Sequence, residues 1–265
     1  ESKDIYFADD DYLIEKHTGS FTTTQAERNI QSLAQFFDMY QDTFPKGHRS
    51  VLLIPNAVDI LRDKLPPFAA PYDEEDYLAK AKAALADDLW VDAGSVLRQH
   101  TDTQLYYRTD HHWTALGAYY AYREFCGAKG ITPHSLSEYE VSQFDGFLGS
   151  FYNDAGKPDV MKNDPDTVTA YHPISTEARM QYGKTADSLT PGKVIYDESD
   201  AAAGLKYGTF IMGDNPYTVI ENPDLSDGSK CVVVKESFGN AFVPFLVDHY
   251  QTVYVIDYRY YSGSV

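Results

Sequence analysis

Apolar and polar positions along this chain follow two periods. In Asp4–Lys16 (DIYFADDDYLIEK), two short apolar runs flank an acidic turn, which predicts a β-hairpin. Ile30, Leu33, Phe36, Phe37 and Tyr40 recur at helical spacing, and Thr22, Thr23 and Thr24 stand ahead of them as candidate caps. SVLLIPNAVDIL is a short β-branched run stopped by Pro55 and Asn56, which suits a buried parallel strand ending at a loop. The prolines of PPFAAPYDEED mark a loop. DEEDYLAKAKAALADD reads as a helix with acid in its first turn, and LWVDAGSVLRQH as a strand and a short helix. A further helix is predicted from Thr114 to Phe125. Turn formers crowd the stretch from about 131 to 204, which reads as a loop-rich insertion or lid. Order resumes at GTFIMGDNPYTVIEN. SKCVVVKESFGNAFVPFLVDHYQTVYVIDYR then reads as strand, sharp turn, helix, strand. Helix and buried strand in succession predict an α/β fold, here one domain over 1–265.

Composition narrows the partners. The chain has 265 residues and a net charge of −18, with the acid spread rather than massed in a tail. Such a surface repels phosphate backbones, so no nucleic-acid partner is expected. No apolar run reaches the roughly 20 residues a bilayer span needs, and the abrupt start is compatible with a chain trimmed behind an anchor. The 22 tyrosines are many. Tyrosine joins a flat apolar face to a hydroxyl, so the excess suits either a wet-edged core or a carbohydrate-facing surface. Cys126 and Cys231 form no zinc or CxxC pattern and read as small buried residues.

Two stretches carry candidate chemistry. In CVVVKESFGNAFVPFL, Cys231 to Val234 read as a buried strand and Phe238-Gly239-Asn240 as the turn into a helix running through Leu246. Ser237 then lies at the carboxyl end of a strand and the amino end of a helix, where ligands bind in open α/β sheets and backbone amides favour an oxyanion. Gly239 allows close backbone approach. A serine nucleophile needs a base, and the base an orienting group. TDHHWT supplies both. Asp110 and His112 stand two apart, so in an extended segment they point the same way while His111 points elsewhere. Either histidine is left open as the base, and the spacing favours His112. Taken alone, the serine reads as a helix cap and the Asp-His-His as a surface turn. A metal centre at Asp110, His111 and His112 is disfavoured, because adjacent histidines diverge and no HExxH spacing occurs; no metal or cofactor is expected. Trp113 reads as core beneath the site. Tyr152 and Asn153 are candidates for the cleft wall, and Arg108 and Arg259 read as paired or solvated charges.

YYRTDHHWTALGAYYAY and VVVKESFGNAFVPFLVDHYQTVYVIDYRYY resemble the two signature segments of the DHHW family of bacterial surface proteins. That family is similar to the SGNH-hydrolase-like domains of alginate O-acetyltransferases, which resemble SGNH (GDSL) esterases with the catalytic blocks permuted. VLLIPN, FLGSFYN and FIMGDNP also resemble family positions. The resemblance implies a three-layer flavodoxin-like fold with a mostly parallel sheet, an extracytoplasmic location (secreted or membrane-anchored), and acyl-ester chemistry on a polysaccharide, with a membrane acyl carrier as a possible partner. It carries over Ser237, His112 and Asp110 as the triad. The amides of Ser237 and Phe238 are expected to hold the oxyanion, with Asn240, Asn215 and Gly213 as further candidates. Lys235-Glu236 stands where the family's serine block has Gly-Asp.

Overall fold

A computed structural model describes residues 4–18 and 23–263. The predicted hairpin forms: β1 (Ile5–Phe7) pairs antiparallel with β2 (Leu13–Glu15). Helix α1 (Thr23–Met39) follows; the cap position before it lies outside the described residues. Its apolar stripe is only partly covered. Ile30 is buried and Leu33 and Phe37 pack beside Val51, Leu85 and Leu89, while Phe36 and Tyr40 stay exposed.

VLLIPN does not build a ladder. Val51 makes one parallel bridge to Trp90, and the chain then turns at Asn56 into the short α2 (Ala57–Ile60). Helices α3 (Glu74–Ala84) and α4 (Ala93–Arg98) each begin at an aspartate, Asp73 and Asp92, whose carboxylate accepts a first-turn amide. Helix α5 (Ala115–Lys129) is capped by Thr114, whose hydroxyl accepts the Gly117 amide, and ends at Gly130 in the left-handed region.

Beyond α5, β3 (Val141–Phe147) and β4 (Asp166–Tyr171) form an antiparallel pair of their own, joined through α6 (Ser150–Asp154) and α7 (Asp159–Asn163). Strands β5 (Arg179–Gly183), β6 (Leu189–Gly192), β7 (Tyr217–Glu221), β8 (Lys230–Lys235) and β9 (Thr252–Asp257) make one sheet in the order β6-β5-β7-β9-β8. Only β8–β9 is parallel; β5–β6, β5–β7 and β7–β9 are antiparallel. The fold is therefore α/β with a mixed sheet, not the mostly parallel one expected. Apolar runs announce strands but not their partners, and only β8 and β9 are joined by a helical crossover, which parallel pairing requires.

Strand β8 is also not the buried run expected. It lies at the sheet edge, and its side chains alternate between a covered and an uncovered face, with Val232 and Val234 more than half exposed and Lys235 buried. The predicted helix after Ser237 is short: α8 (Gly239–Phe242) passes into a 3-10 turn over Val243–Leu246. Both pack on α5, where Tyr122 stacks on Phe245 at 5.3 Å and Tyr119 tilts against the same ring, which Tyr139 meets edge-on from beyond the helix. Tyr12, Tyr106, Tyr107, Tyr119, Tyr122, Tyr139, Tyr152 and Tyr207 are all buried, so much of the tyrosine excess is core. Cys126 is buried and Cys231 half-buried, both as free thiols. No described helix is long and apolar enough to cross a membrane.

Candidate active site

The TDHHWT segment is a closed loop rather than an extended strand. Tyr107 N–H donates to His112 O at 3.2 Å and Thr114 N–H to Leu105 O at 2.8 Å, so residues 105–114 fold back on themselves. Neighbours pin the tip. The Thr109 amide and hydroxyl both donate to Asp166 Oδ2, at 2.9 and 2.7 Å, and the Arg108 side chain pairs with Asp164 and Asp166.

Within that tip, Asp110 accepts two hydrogen bonds from His112, from its amide at 3.0 Å and from Nδ1 at 2.6 Å. The pairing expected from the i, i+2 spacing is present, and a tight turn produces it. Ser150 adds two more donors to the same carboxylate, its amide at 2.8 Å and its hydroxyl at 3.2 Å. Burial alone raises a carboxyl's proton affinity. Here the His112 bond, the nearby imidazoles and the Ser150 amide outweigh it and hold Asp110 well below the usual carboxylate range.

The carboxylate fixes the base. It can only accept, so Nδ1 of His112 bears the proton and Nε2 presents its lone pair. Nε2 is buried and has no hydrogen-bond partner among the described residues. The ring lies flat on Tyr207 (3.9 Å, 14°), which locks its orientation.

Ser237 is brought to this ring through its backbone. The Tyr207 hydroxyl donates to Ser237 O at 3.2 Å, and Trp113 Nε1–H donates to Phe238 O at 2.9 Å. The residue stacked on His112 and the residue following it in sequence thus each hold one carbonyl of the serine turn. Trp113 is fully buried, as expected, and the Phe238 ring lies 5.3 Å from that of His112. The site is closed: Ser237 is 7 % and His112 8 % exposed.

His111 departs from expectation. Its ring lies 3.8 Å from that of His112 rather than pointing away, and its Nδ1 meets Ser150 Oγ at 2.9 Å. Burial, then the repulsion a protonated His112 would exert, lowers its proton affinity. Asp110, His111 and His112 offer ligand atoms within 4.8 Å of one another. Nδ1 of each histidine is already engaged, that of His112 by Asp110 and that of His111 by Ser150.

The remaining predicted residues divide. Asn240 Nδ2 donates to Asp214 at 2.9 Å, and Asn215 Nδ2 donates to the carbonyls of Ile211 and Met212. Those two residues and Gly213 all have positive φ, a strained run for Ile and Met that the Asn215 amide braces. Tyr152 is buried in a small cluster with Ile5, Leu13, Phe151 and Met161, and its amide donates to Thr109 O. The Phe238 amide donates to Glu236 Oε2 at 3.1 Å.

Sequence reasoning missed two groups. Gly149 and Ser150 sit in FLGSFYN, a turn-rich stretch that resembles family positions but whose pattern assigns neither residue a role. The other is the charge network behind the serine. Lys235 Nζ meets Asp257 at 2.8 Å, Arg259 pairs with Asp257 and Asp214, and Asp214 takes the Asn240 amide. It anchors the turn on both sides of Ser237. Burial works against ionisation of Asp257, yet bonds from Arg259 and Lys235 bring it down to about 2. Gly239 is needed here, since a Cβ would lie 2.6 Å from Lys235 Cβ. A cavity of about 690 Å³, lined in part by His172, Arg179 and Lys193, includes none of the site residues.

The fold and site define an α/β protein in which a buried Asp–His pair lies beside a strand-to-helix serine turn. Residues 87–256 match the family described as DHHW protein, and the chain belongs to that family. It is similar to a DHHW family protein from Eubacterium siraeum, at 30 % identity over 87 % of this chain and 77 % of that one, with a TM-score of 0.70. Bacillus cereus PatB1 shares the fold with a TM-score of 0.79 at 21 % identity, covering 99 % of this chain and 90 % of its own. The O-acetyltransferase domain of Pseudomonas putida AlgJ shares it with a TM-score of 0.53 at 15 % identity, over 96 % and 78 % of the two chains. No curated protein matches the sequence.

Proposed function

We propose that the protein is a serine-dependent O-acyl esterase or O-acetyltransferase acting on extracytoplasmic or cell-wall polysaccharide. The observation that carries this reading is the buried, unpartnered Nε2 of His112, fixed by Asp110 and set against the Ser237 turn. A buried imidazole nitrogen with no partner is costly unless a ligand or a nucleophile's proton uses it. Fold likeness to the AlgJ O-acetyltransferase domain supports the acyl-transfer class. Ser237 Oγ attacks the acyl carbonyl and its proton passes to His112 Nε2, while Asp110 stabilises the imidazolium. The adduct collapses, the donor's oxygen leaves with the proton from His112, and water or a sugar hydroxyl, deprotonated by the same nitrogen, then takes the acyl group; exclusion of water favours the sugar. A membrane acyl carrier as donor, and a surface location, belong to the same proposal.

A second reading is a catalytically weak glycan-binding or assembly protein on the same scaffold. The engaged amide of Phe238 favours it. The test is p-nitrophenyl acetate turnover with and without cell-wall glycan oligosaccharides, followed by mass spectrometry of the sugar. Acetate release or acetylated sugar that disappears in Ser237→Ala supports the enzyme. Glycan binding with no turnover in the folded protein supports the second reading.

A further inference from the structure

An acyl oxyanion formed at Ser237 needs the amide that follows the nucleophile, and in this structure that amide is taken. Phe238 N–H donates to Glu236 Oε2 at 3.1 Å. A carboxylate oxygen carries the charge of a tetrahedral oxyanion and accepts the same bond, so the side chain mimics the intermediate. The carboxylate is not needed to hold the turn. Tyr207 and Trp113 grip the carbonyls of Ser237 and Phe238, the Gly239 amide closes on Glu236 O, and the Asn240 amide on Ser237 O. Lys235 and Asn240 fasten the two ends to Asp214. Glu236 is half-buried; burial raises its carboxyl, against the Phe238 amide bond and the charges of Arg259 and Lys235, and His111 and Tyr207 both feel its charge.

We propose that Glu236 is a resident occupant of the oxyanion donor, and that acyl attack at Ser237 displaces its carboxylate from Phe238 N–H. The inference rests on the serine reading above. In the step, the Ser237 Oγ–C bond forms, the carbonyl π pair moves onto oxygen, and the Oγ proton goes to His112 Nε2. The new oxyanion takes the amide that Glu236 releases. A site built this way stays shut until an acyl group good enough to outcompete the carboxylate is bound, which disfavours idle hydrolysis.

The test compares wild type, Glu236→Ala and Glu236→Gln in the rate of Ser237 labelling by a fluorophosphonate, with the Phe238 amide followed by 1H–15N NMR. Glu236→Ala is expected to label about tenfold faster, the size of one hydrogen bond to a charged group. Glu236→Gln is expected to gain less, since its carbonyl still accepts. The Phe238 amide proton should move upfield in Glu236→Ala. Labelling at or below the wild-type rate in both variants overturns the proposal and makes Glu236 a supporting cap; if Glu236→Ala fails to fold, Glu236→Gln decides alone. An unmoved Phe238 resonance overturns the occupancy directly. No labelling of any of the three, with the resonance moved, refutes the serine reading and its displacement step together while leaving the amide bond in place.

Discussion

Gly149 offers the sharpest test of how Asp110 is held. Its φ of −78° is one any residue adopts, so alanine brings no backbone strain. What it lacks is room. A Cβ there would sit 2.2 Å from Asp110 Oδ2, 2.3 Å from Asp110 Cβ and 2.5 Å from Asp110 Cγ. Ordinary contact needs a separation larger by roughly 1 Å, and neither side gives easily. Ser150, next in the chain, is bonded to that carboxylate, and the Gly149 amide donates to Thr109 Oγ1 at 3.1 Å. The Gly149→Ala variant must therefore push Asp110 off His112 by about 1 Å, a misplacement worth about 10²-fold in rate, or about 2.7 kcal/mol in the barrier. Overpacking of this kind costs stability by about 1–3 kcal/mol, so the variant should still fold. The assay is kcat/KM for p-nitrophenyl acetate beside a urea midpoint. Gly127→Ala serves as control, since a Cβ at that position in α5 meets nothing within 4 Å. Gly149→Ala at the control's rate would refute the claim that Asp110 must stand where it does.

The charge network and the half-buried carboxylate of Glu74 give further expectations. Asp257→Ala leaves Lys235 with its closest partner gone while only 4 % exposed, so unfolding free energy should fall by about 3–5 kcal/mol in urea titrations; a loss below about 1 kcal/mol would contradict the anchoring role. Glu74 is raised from 4.5 to about 7, chiefly by burial and further by Asp59, against bonds from the Asn56 amide and side chain. A raised carboxyl binds its proton more tightly when folded, so its contribution is full below pH 4.5 and is lost as pH rises through about 7, by about 3 kcal/mol. Wild type should thus lose stability relative to Glu74→Gln between pH 5 and 8 in thermal melts, and parallel curves would contradict it. For Asp110 the sign is reversed: its depressed carboxyl contributes above the ordinary carboxylate range, so the wild-type margin over Asp110→Asn should shrink only in strong acid.

The parts of the site legible in the sequence are those set by local chemistry. The Asp110–His112 pairing spans two residues, so TDHHWT announces it, while Thr114, expected as the first residue of the helix, stands one place earlier as its cap. The serine turn is equally local. Gly149 and Ser150 act on Asp110 across 40 residues, and no pattern in FLGSFYN states that contact. Sheet direction was hidden for a similar reason. CVVVK reads as a buried run, yet as the edge strand it turns Val232 and Val234 to solvent, and β-branched side chains favour a strand at either place. Glu236 stands two residues before the amide it occupies, so its bond was within local reach. Reading the acid only as the family's residue before serine passed over it.

Treatment of wild type, Ser237→Ala and Ser150→Ala with a fluorophosphonate, followed by peptide mass mapping, tests the central claim most directly. Ser150 is the informative rival, since its hydroxyl meets His111 Nδ1 at 2.9 Å and also donates to Asp110. One adduct on Ser237 is expected, lost in Ser237→Ala and retained in Ser150→Ala. An adduct on Ser150, or none on a folded protein, would contradict it.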